Sequence, residues 1–389
     1  MFEYFPSNAG WSLSVGCALS MGGELSEVHE ACKPLVPLAE APLAVANEAW
    51  FQSWMSVSER VRRQGDELLS KGWEFSAGTR YFRAAQYGFI AERHAGWKDP
   101  RKLMAYRKAS ALFAEGVKLL GHRTERIEIP FGGASLAGYL RLPEGDGPFP
   151  AVIMFNGFDG IKEMQYGFAG DEAVKRGIAV LFMDQEGTGE SARIHGMTKP
   201  VESEKCASAF IDRLEKHPSI DEGRIGVIGC SNGGYDAPRA AVYEPRLKLC
   251  VSFGAFYDSE CLRSKFESMI QHPERPIRGL DFPDQMRSVM GKDDLQEAWD
   301  EFRKRTLEGH LEGLKVPYLV LHGENDRLVP LRFAERCIAE AVNSPRAEIK
   351  VFSIAEGSSE HCGIDLMASH SQYMFDWVAG IFGGKTARS

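Results

Sequence analysis

The chain has 389 residues, 44% of them hydrophobic, which is enough to bury a large core and suits two domains or one large domain carrying an insertion. Its formal net charge of −8 comes from scattered acids and bases, which argues against a nucleic-acid surface and gives no reason to expect an anionic membrane partner. No apolar run reaches the roughly 20 residues that span a bilayer, and Met1-Phe2-Glu3-Tyr4-Phe5-Pro6 has no basic leader region, so the expected compartment is the cytoplasm. The eight cysteines, Cys17, Cys32, Cys206, Cys230, Cys250, Cys261, Cys337 and Cys362, form no C-x-x-C pair, and several fall in apolar segments. They read as buried thiols of a reducing compartment. Neither thiols nor histidines fall at ligand spacing, so no metal site is expected.

Up to about Pro37 the pattern is mixed and assigns no element. Trp50, Phe51, Trp54, Met55, Val61, Leu68 and Leu69 then recur at helical spacing as far as Gly72, a helix stop. Ser76 is expected to cap a second helix with Tyr81, Phe82, Ala85, Phe89 and Ile90 on one face. Asp99-Pro100 starts a third, with Leu103, Tyr106, Ala109, Phe113, Val117 and Leu120 as its buried stripe. These helices make an N-terminal helical domain, 1–121, whose aromatic stripes need something to pack against: the pocket, a second copy of the chain in a homodimer, or both.

From Thr124 the period changes to two. Arg126 to Pro130 and Leu136 to Leu142, separated by Gly132-Gly133, read as an antiparallel hairpin. Short apolar strands follow at Ala151 to Phe155, Ile178 to Met183, Ile225 to Ile228, Leu247 to Phe253, Tyr318 to His322 and Ile349 to Phe352, most separated by helical stretches. Strand alternating with helix implies an α/β fold: a mostly parallel sheet with helices on both faces and ligands bound beyond the strands' carboxyl ends. The interval of about 254–314 is longer than one crossover needs. It carries helices near Cys261 to Ile270 and Leu295 to Leu307, with Pro273-Glu274-Arg275-Pro276 between them, and reads as a lid insertion or a longer surface excursion.

Gly229-Cys230-Ser231-Asn232-Gly233 joins a strand to a helix in the pattern of a nucleophile elbow, with an ordinary strand-to-helix turn as the plain alternative. The glycines permit a strained turn that lifts a serine oxygen above the sheet edge and aims the Asn232 amide at a developing oxyanion. A serine hydroxyl needs a histidine base, and the histidine needs an acid. Asp326 follows the strand Tyr318 to His322, and His361 follows Ile349 to Phe352; singly, they could be a helix cap near Pro330 and a surface histidine. In order, downstream of an elbow, they complete Ser231, Asp326 and His361 as a triad, with Glu324 and Glu360 as less suitable acids. Asn156-Gly157-Phe158-Asp159-Gly160 is the glycine-rich loop expected to supply the second oxyanion amide, from Phe158. Asp184 to Ser191 fits a tight turn on the same edge and lacks the Lys-Ser/Thr ending of a phosphate loop, so it is assigned no nucleotide.

From Thr124 onward the chain resembles the α/β-hydrolase superfamily. Gly157 to Glu163, Gly229 to Arg239, Tyr243-Glu244-Pro245-Arg246, the helical N-terminal part and Met1 to Pro6 resemble, more narrowly, the group of dihydroxypseudooxynicotine hydrolase and the fungal hydrolases that shorten polyketides in pigment pathways. The resemblance implies cleavage of a carbon–carbon bond next to a ketone with no metal or organic cofactor, and a triad at Ser231, Asp326 and His361. Cys230 and Asn232 stand where that group often has Arg and Leu, and Asp236 where a neutral residue is usual. The expected substrate is a small hydrophobic or aromatic ketone, a polyketide or β-dicarbonyl metabolite. A carbanion leaving group calls for an additional acid, for which Asp258 and Glu260 are candidates, with a cap or surface charge as the alternative. An esterase, lactonase or thioesterase would keep the triad without that acid; a non-catalytic binding protein of the same fold would need none of it.

Overall fold

Five helices account for the N-terminal part of a computed structural model that describes residues 2–272 and 279–383; the stretch Pro273-Glu274-Arg275-Pro276 lies outside the described residues. They are α1 (Ala9–Ser20), α2 (Leu25–Cys32), α3 (Leu43–Ser70), α4 (Glu74–Arg93) and α5 (Pro100–Leu119). The first two fill the stretch that periodicity leaves unassigned. In α1 the buried set includes Ser12 and Ser14 beside Trp11 and Val15, so no apolar stripe shows in the sequence. Ser12 donates to Phe5 O at 3.0 Å and Ser14 pairs with His94 Nε2 at 2.8 Å, which is how these hydroxyls are buried without loss. Asp99 caps α5 as expected, accepting from Arg101 N at 2.9 Å. Ser76 is not a cap: the chain reverses at Gly72 (φ +75°), Trp73 N returns to Leu68 O, and α4 starts two residues before Ser76.

Two compact units divide the chain: Met1–Thr124 with Gln271–Ser288, and Glu125–Ile270 with Val289–Ser389. In the first, α4 packs against both α3 and α5. A Cβ at Gly116 would come within 2.6 Å of Phe82 N, so the approach of α5 to α4 requires glycine there. The core of this unit is aromatic. Trp50 lies 4.9 Å from Trp11, 5.4 Å from Trp54 and 4.6 Å from His94, ring centre to ring centre, and its Nε1 donates to Ile90 O at 2.9 Å. Part of the insertion belongs to this unit, since Trp97 N donates to Asp284 at 2.8 Å.

In chain order the remaining elements are β1 (Thr124–Phe131), β2 (Ala134–Arg141), β3 (Phe149–Phe155), α6 (Lys162–Lys175), β4 (Ala179–Asp184), α7 (Gly189–Arg193), α8 (Glu204–Leu214), β5 (Ile220–Cys230), α9 (Gly233–Tyr243), β6 (Cys250–Phe253), α10 (Glu260–Gln271), α11 (Phe282–Met290), α12 (Leu295–Phe302), β7 (Tyr318–Gly323), α13 (Leu331–Glu340), β8 (Ala347–Phe352) and α14 (Met367–Phe382). The eight strands form one sheet in the order β1-β2-β4-β3-β5-β6-β7-β8. β2 runs antiparallel to β4, and every pair from β4 to β8 is parallel. Helices cover both faces, so β4 is buried at every residue and reads in the sequence as a continuous apolar run. β6 is shorter than expected because Leu247 N turns back to Glu244 O, and the ladder with β7 starts at Cys250 opposite Tyr318. α12 stops at Phe302, short of the expected Leu307, and α11 is an added helix in the insertion. No helix among the described residues is long and apolar enough to cross a membrane.

Candidate active site

β5 delivers Ser231 to the carboxyl edge of the sheet and α9 carries the chain away. Ser231 sits at φ 55°, a conformation that costs a non-glycine residue energy and persists only where its surroundings hold it. Its N–H donates to Phe253 O at 2.8 Å and its carbonyl accepts from Gly234 N at 2.7 Å. The flanking glycines make the turn feasible. A Cβ at Gly229 would collide with Gly233 O, and one at Gly233 would lie 2.7 Å from the carbonyls of Phe155 and Asn156.

The loops after β7 and β8 bring the other two residues to this serine. His361 Nε2 lies 2.8 Å from Ser231 Oγ, and His361 Nδ1 lies 2.7 Å from Asp326 Oδ2. Asp326 Oδ1 accepts from Leu328 N at 2.9 Å and Val329 N at 2.8 Å, which fixes its carboxylate so that Oδ2 faces the imidazole. The helix that follows starts from Pro330 without a side-chain cap. Burial would raise the Asp326 pKa, but His361, His322 and the Val329 amide outweigh it and hold the carboxyl below its ordinary value. Burial would likewise lower the pKa of His361, and the negative charge of Asp326, with a weaker contribution from Asp159, raises it above the ordinary histidine value. The other acids of these loops are engaged elsewhere: Glu324 accepts from Ile354 N at 2.9 Å, and Glu360 from Asn325 Nδ2 at 2.7 Å.

The thiols on either side of this chain of contacts also meet, with Cys230 Sγ 3.6 Å from Cys362 Sγ. All eight cysteines are free. Among the described residues no group of three or more His, Cys, Asp or Glu side chains is placed to hold a metal ion.

The loop after β3 approaches Ser231 from the other side. A Cβ at Gly157 would lie 3.3 Å from Ser231 Cβ, so the backbone of this loop passes against the serine. Phe158, the next residue, packs its ring edge-on against Phe302 at 5.4 Å. Phe302 also contacts Phe256 at 5.7 Å and Trp299 at 6.0 Å, so aromatic side chains of the insertion gather beside this loop. Asn232 opens α9; its side chain is 2% exposed, and neither Nδ2 nor Oδ1 has a hydrogen-bond partner among the described residues.

Asp258 and Glu260 make no hydrogen bond to Ser231, His361 or Asp326. Asp258 Oδ1 accepts from Glu260 N at 2.8 Å, at the start of α10, and Glu260 pairs with Arg263 at 2.7 Å. Burial raises the Asp258 pKa. With Arg332, Phe333 and Arg336 the two acids line a cavity of about 410 Å³ that Ser231, Asp326 and His361 do not line.

Sequence reasoning assigned no role to the groups that hold the loop after β3. Lys162 Nζ is fully buried among Asp184 (2.8 Å), Glu190 (2.9 Å) and Glu163 (3.0 Å). Asp184 Oδ1 accepts from Lys162 N at 2.7 Å and Asn156 Nδ2 at 3.0 Å, and Asp184 Oδ2 accepts from Glu190 N at 2.8 Å. The turn from Asp184 to Ser191 therefore anchors the glycine-rich loop. Asp159, inside that loop, adds a smaller effect on His361 than Asp326 does; the signal was its place between Phe158 and Gly160.

The chain is similar to known hydrolases. The chain is 30% identical over 334 residues to the 2,6-dihydropseudooxynicotine hydrolase of Paenarthrobacter nicotinovorans, covering 85% of this chain and 83% of that one. It is 34% identical over 281 residues to the hydrolase acrC of Aspergillus aculeatus, covering 66% of this chain and 64% of that one. The crystal structure of the 2,6-dihydroxy-pseudo-oxynicotine hydrolase superposes with a TM-score of 0.77 at 27% identity, over 96% of this chain and 98% of that one. The fold is that of the α/β-hydrolases, and the relatives are hydrolases. A family model described as esterase FrsA-like matches residues 40–351, so the chain belongs to the FrsA-like family of α/β-hydrolases.

Proposed function

We propose that the protein is a serine hydrolase that cleaves the carbon–carbon bond beside a ketone in a polyketide or aromatic β-dicarbonyl metabolite. The observation that carries the hydrolase part is the hydrogen-bonded chain from Ser231 through His361 to Asp326. Ser231 Oγ adds to the ketone carbon as His361 Nε2 takes its proton, and Asp326 stabilises the imidazolium. The amides of Phe158 and Asn232 hold the oxyanion of the tetrahedral adduct. When the adduct collapses, the carbon–carbon bond breaks and its electron pair stays with the leaving carbon. A second carbonyl delocalises that charge and the His361 imidazolium returns the proton. Water, deprotonated by His361, then attacks the acyl-serine and releases a carboxylic acid.

The carbon–carbon specificity is supported by the hydrolases this chain is similar to, among them the 2,6-dihydropseudooxynicotine hydrolase. The aromatic side chains gathered at Phe302 suit a flat, apolar substrate. A second reading, hydrolysis of a carboxylic ester, lactone or thioester, keeps the same residues; the esterase description of the matching family model favours it. Turnover of an aryl 1,3-diketone against a simple aryl ester separates the two. A kcat/KM for the diketone at or above that for the ester is the expected result, and ester turnover with no diketone cleavage would leave the esterase reading.

A further inference from the structure

We infer that Gln185 is a positioning residue that sets the spacing between the two arms of the oxyanion hole, an inference that rests on the serine-hydrolase reading above. Its side chain, 2% exposed, grips the main chain of Asn156. Oε1 accepts from Asn156 N at 3.1 Å, and Nε2 donates to Asn156 O at 2.8 Å. A backbone N–H can only donate and a carbonyl can only accept, so the orientation of the Gln185 amide is determined. Thr188 Oγ1 donates to Gln185 O at 2.8 Å and lies 3.2 Å from the same Oε1, and Nε2 makes a longer contact of 3.5 Å with Asp236 Oδ2.

The two residues that Gln185 reaches lead to the two proposed oxyanion donors. Asn156 is followed by Gly157 and Phe158, and Asp236 lies in the first turn of α9, the helix that Asn232 opens. Asp236 is itself immobilised. Arg305 Nη2 meets its Oδ1 at 2.5 Å, Lys199 Nζ lies 3.5 Å from its Oδ2, and the Arg305 guanidinium stacks 4.2 Å over the Tyr235 ring. On the elbow side there is no slack either, because a Cβ at Gly233 would press on Asn156 O. Asn156 is thus held between Gly233 and Gln185, and a small movement of its peptide moves the amides that follow.

Oxyanion stabilisation depends on donors fixed before the charge develops. Freeing Asn156 should therefore slow the step that forms the charge and leave ground-state affinity alone. The probe is an alkyl fluorophosphonate. Ser231 Oγ attacks phosphorus, fluoride leaves, His361 takes the proton, and the phosphonyl oxygen occupies the oxyanion position. The second-order labelling rate and the final stoichiometry are measured for the full-length protein, Gln185→Met and Gln185→Glu.

Gln185→Met, close in volume and unable to hydrogen-bond, is expected to label about ten- to hundredfold more slowly while still reaching one label per chain. Gln185→Glu places a carboxylate against Asn156 O and Asp236, and regains a donor only when protonated. The charged groups around this position are Asp236, Arg305, Lys199, whose pKa burial lowers to about 8, and Glu186, whose carboxyl burial pushes up to about 7. All of them titrate in the wild type too, so the rate of Gln185→Glu relative to wild type should rise as the medium goes from about pH 8 to about pH 5.5. Labelling of Gln185→Met within twofold of wild type at neutral pH overturns the inference, as does a relative rate for Gln185→Glu that stays flat with pH. A loss confined to the fraction of labellable Gln185→Met, with an unchanged rate per labellable chain, overturns it too. Should Gln185→Met not fold, Gln185→Glu decides. A wild-type protein that takes no label on Ser231 instead removes the serine-hydrolase reading, and the inference with it.

Discussion

His361 Nε2 lies 2.8 Å from Ser231 Oγ although 130 positions separate the two residues in the chain. The sheet makes this contact: β5 and β8 end at the same edge, with β6 and β7 between them. Replacing Ser231 with Ala removes one hydroxyl from this edge and leaves the packing intact. Turnover is expected to fall by at least about a thousandfold, with the melting temperature unchanged within error. Parallel activity and thermal-unfolding measurements check this, and an active variant of wild-type stability would mean that another group is the nucleophile.

Asp326→Asn keeps the shape of the carboxylate and removes its charge, so His361 loses the partner that fixes its tautomer. The expected cost is on the order of 10³ to 10⁴ in kcat. Glu324→Gln and Glu360→Gln should cost far less, because these carboxylates hold Ile354 N and Asn325 Nδ2 and do not face the imidazole. Steady-state kinetics of the three variants ranks them; a costlier Glu360→Gln would reassign the acid.

Acid pH should silence the enzyme earlier than an ordinary histidine would. Only neutral His361 can take the serine proton, and Asp326 raises its pKa, so kcat/KM should fall with decreasing pH through an inflection above about 6.5, the unperturbed value. Asp326→Asn removes the charge that raises it, and the residual activity should show its inflection at lower pH. A pH profile of each protein tests both statements; a wild-type inflection below the ordinary histidine value would contradict the electrostatics.

Deleting residues 2–121 should give an insoluble or inactive protein even though Ser231, Asp326 and His361 remain. The deletion strips the partners of Gln271–Ser288, including the Trp97 amide bound by Asp284, and removes the packed core around Trp50. A milder test is Trp50→Ala: the side chain is fully buried, and its loss should cost about 3–5 kcal/mol of stability in denaturant titration. A soluble truncated protein of full activity would show that the insertion needs no helical partner.

Much of this site was legible because its chemistry sits at strand ends. The apolar runs before Ser231, Asp326 and His361 mark β5, β7 and β8, and in a parallel sheet each run delivers its following loop to one edge. The helices α1 and α2 escaped because their buried faces mix serine and glutamate with apolar residues, and that satisfaction depends on distant partners such as His94 and Arg83. The grip of Gln185 on Asn156 was equally hidden, since a glutamine after a strand carries no pattern until the neighbouring loop is in place. Asp258 and Glu260 were chosen for their position after β6; their ion pairs with Arg336 and Arg263 depend on the neighbouring turns and could not be read from the sequence.

The most direct measurement is the mass of the intact protein during turnover. Wild-type enzyme is mixed with an aryl 1,3-diketone or an aryl ester, quenched in acid at short times, and digested for peptide mapping. The expected result is a transient acyl group on Ser231, absent from Ser231→Ala and decaying as product forms. Turnover with no acyl group on Ser231, or with the acyl group on another residue, would contradict the assignment of Ser231 as the nucleophile.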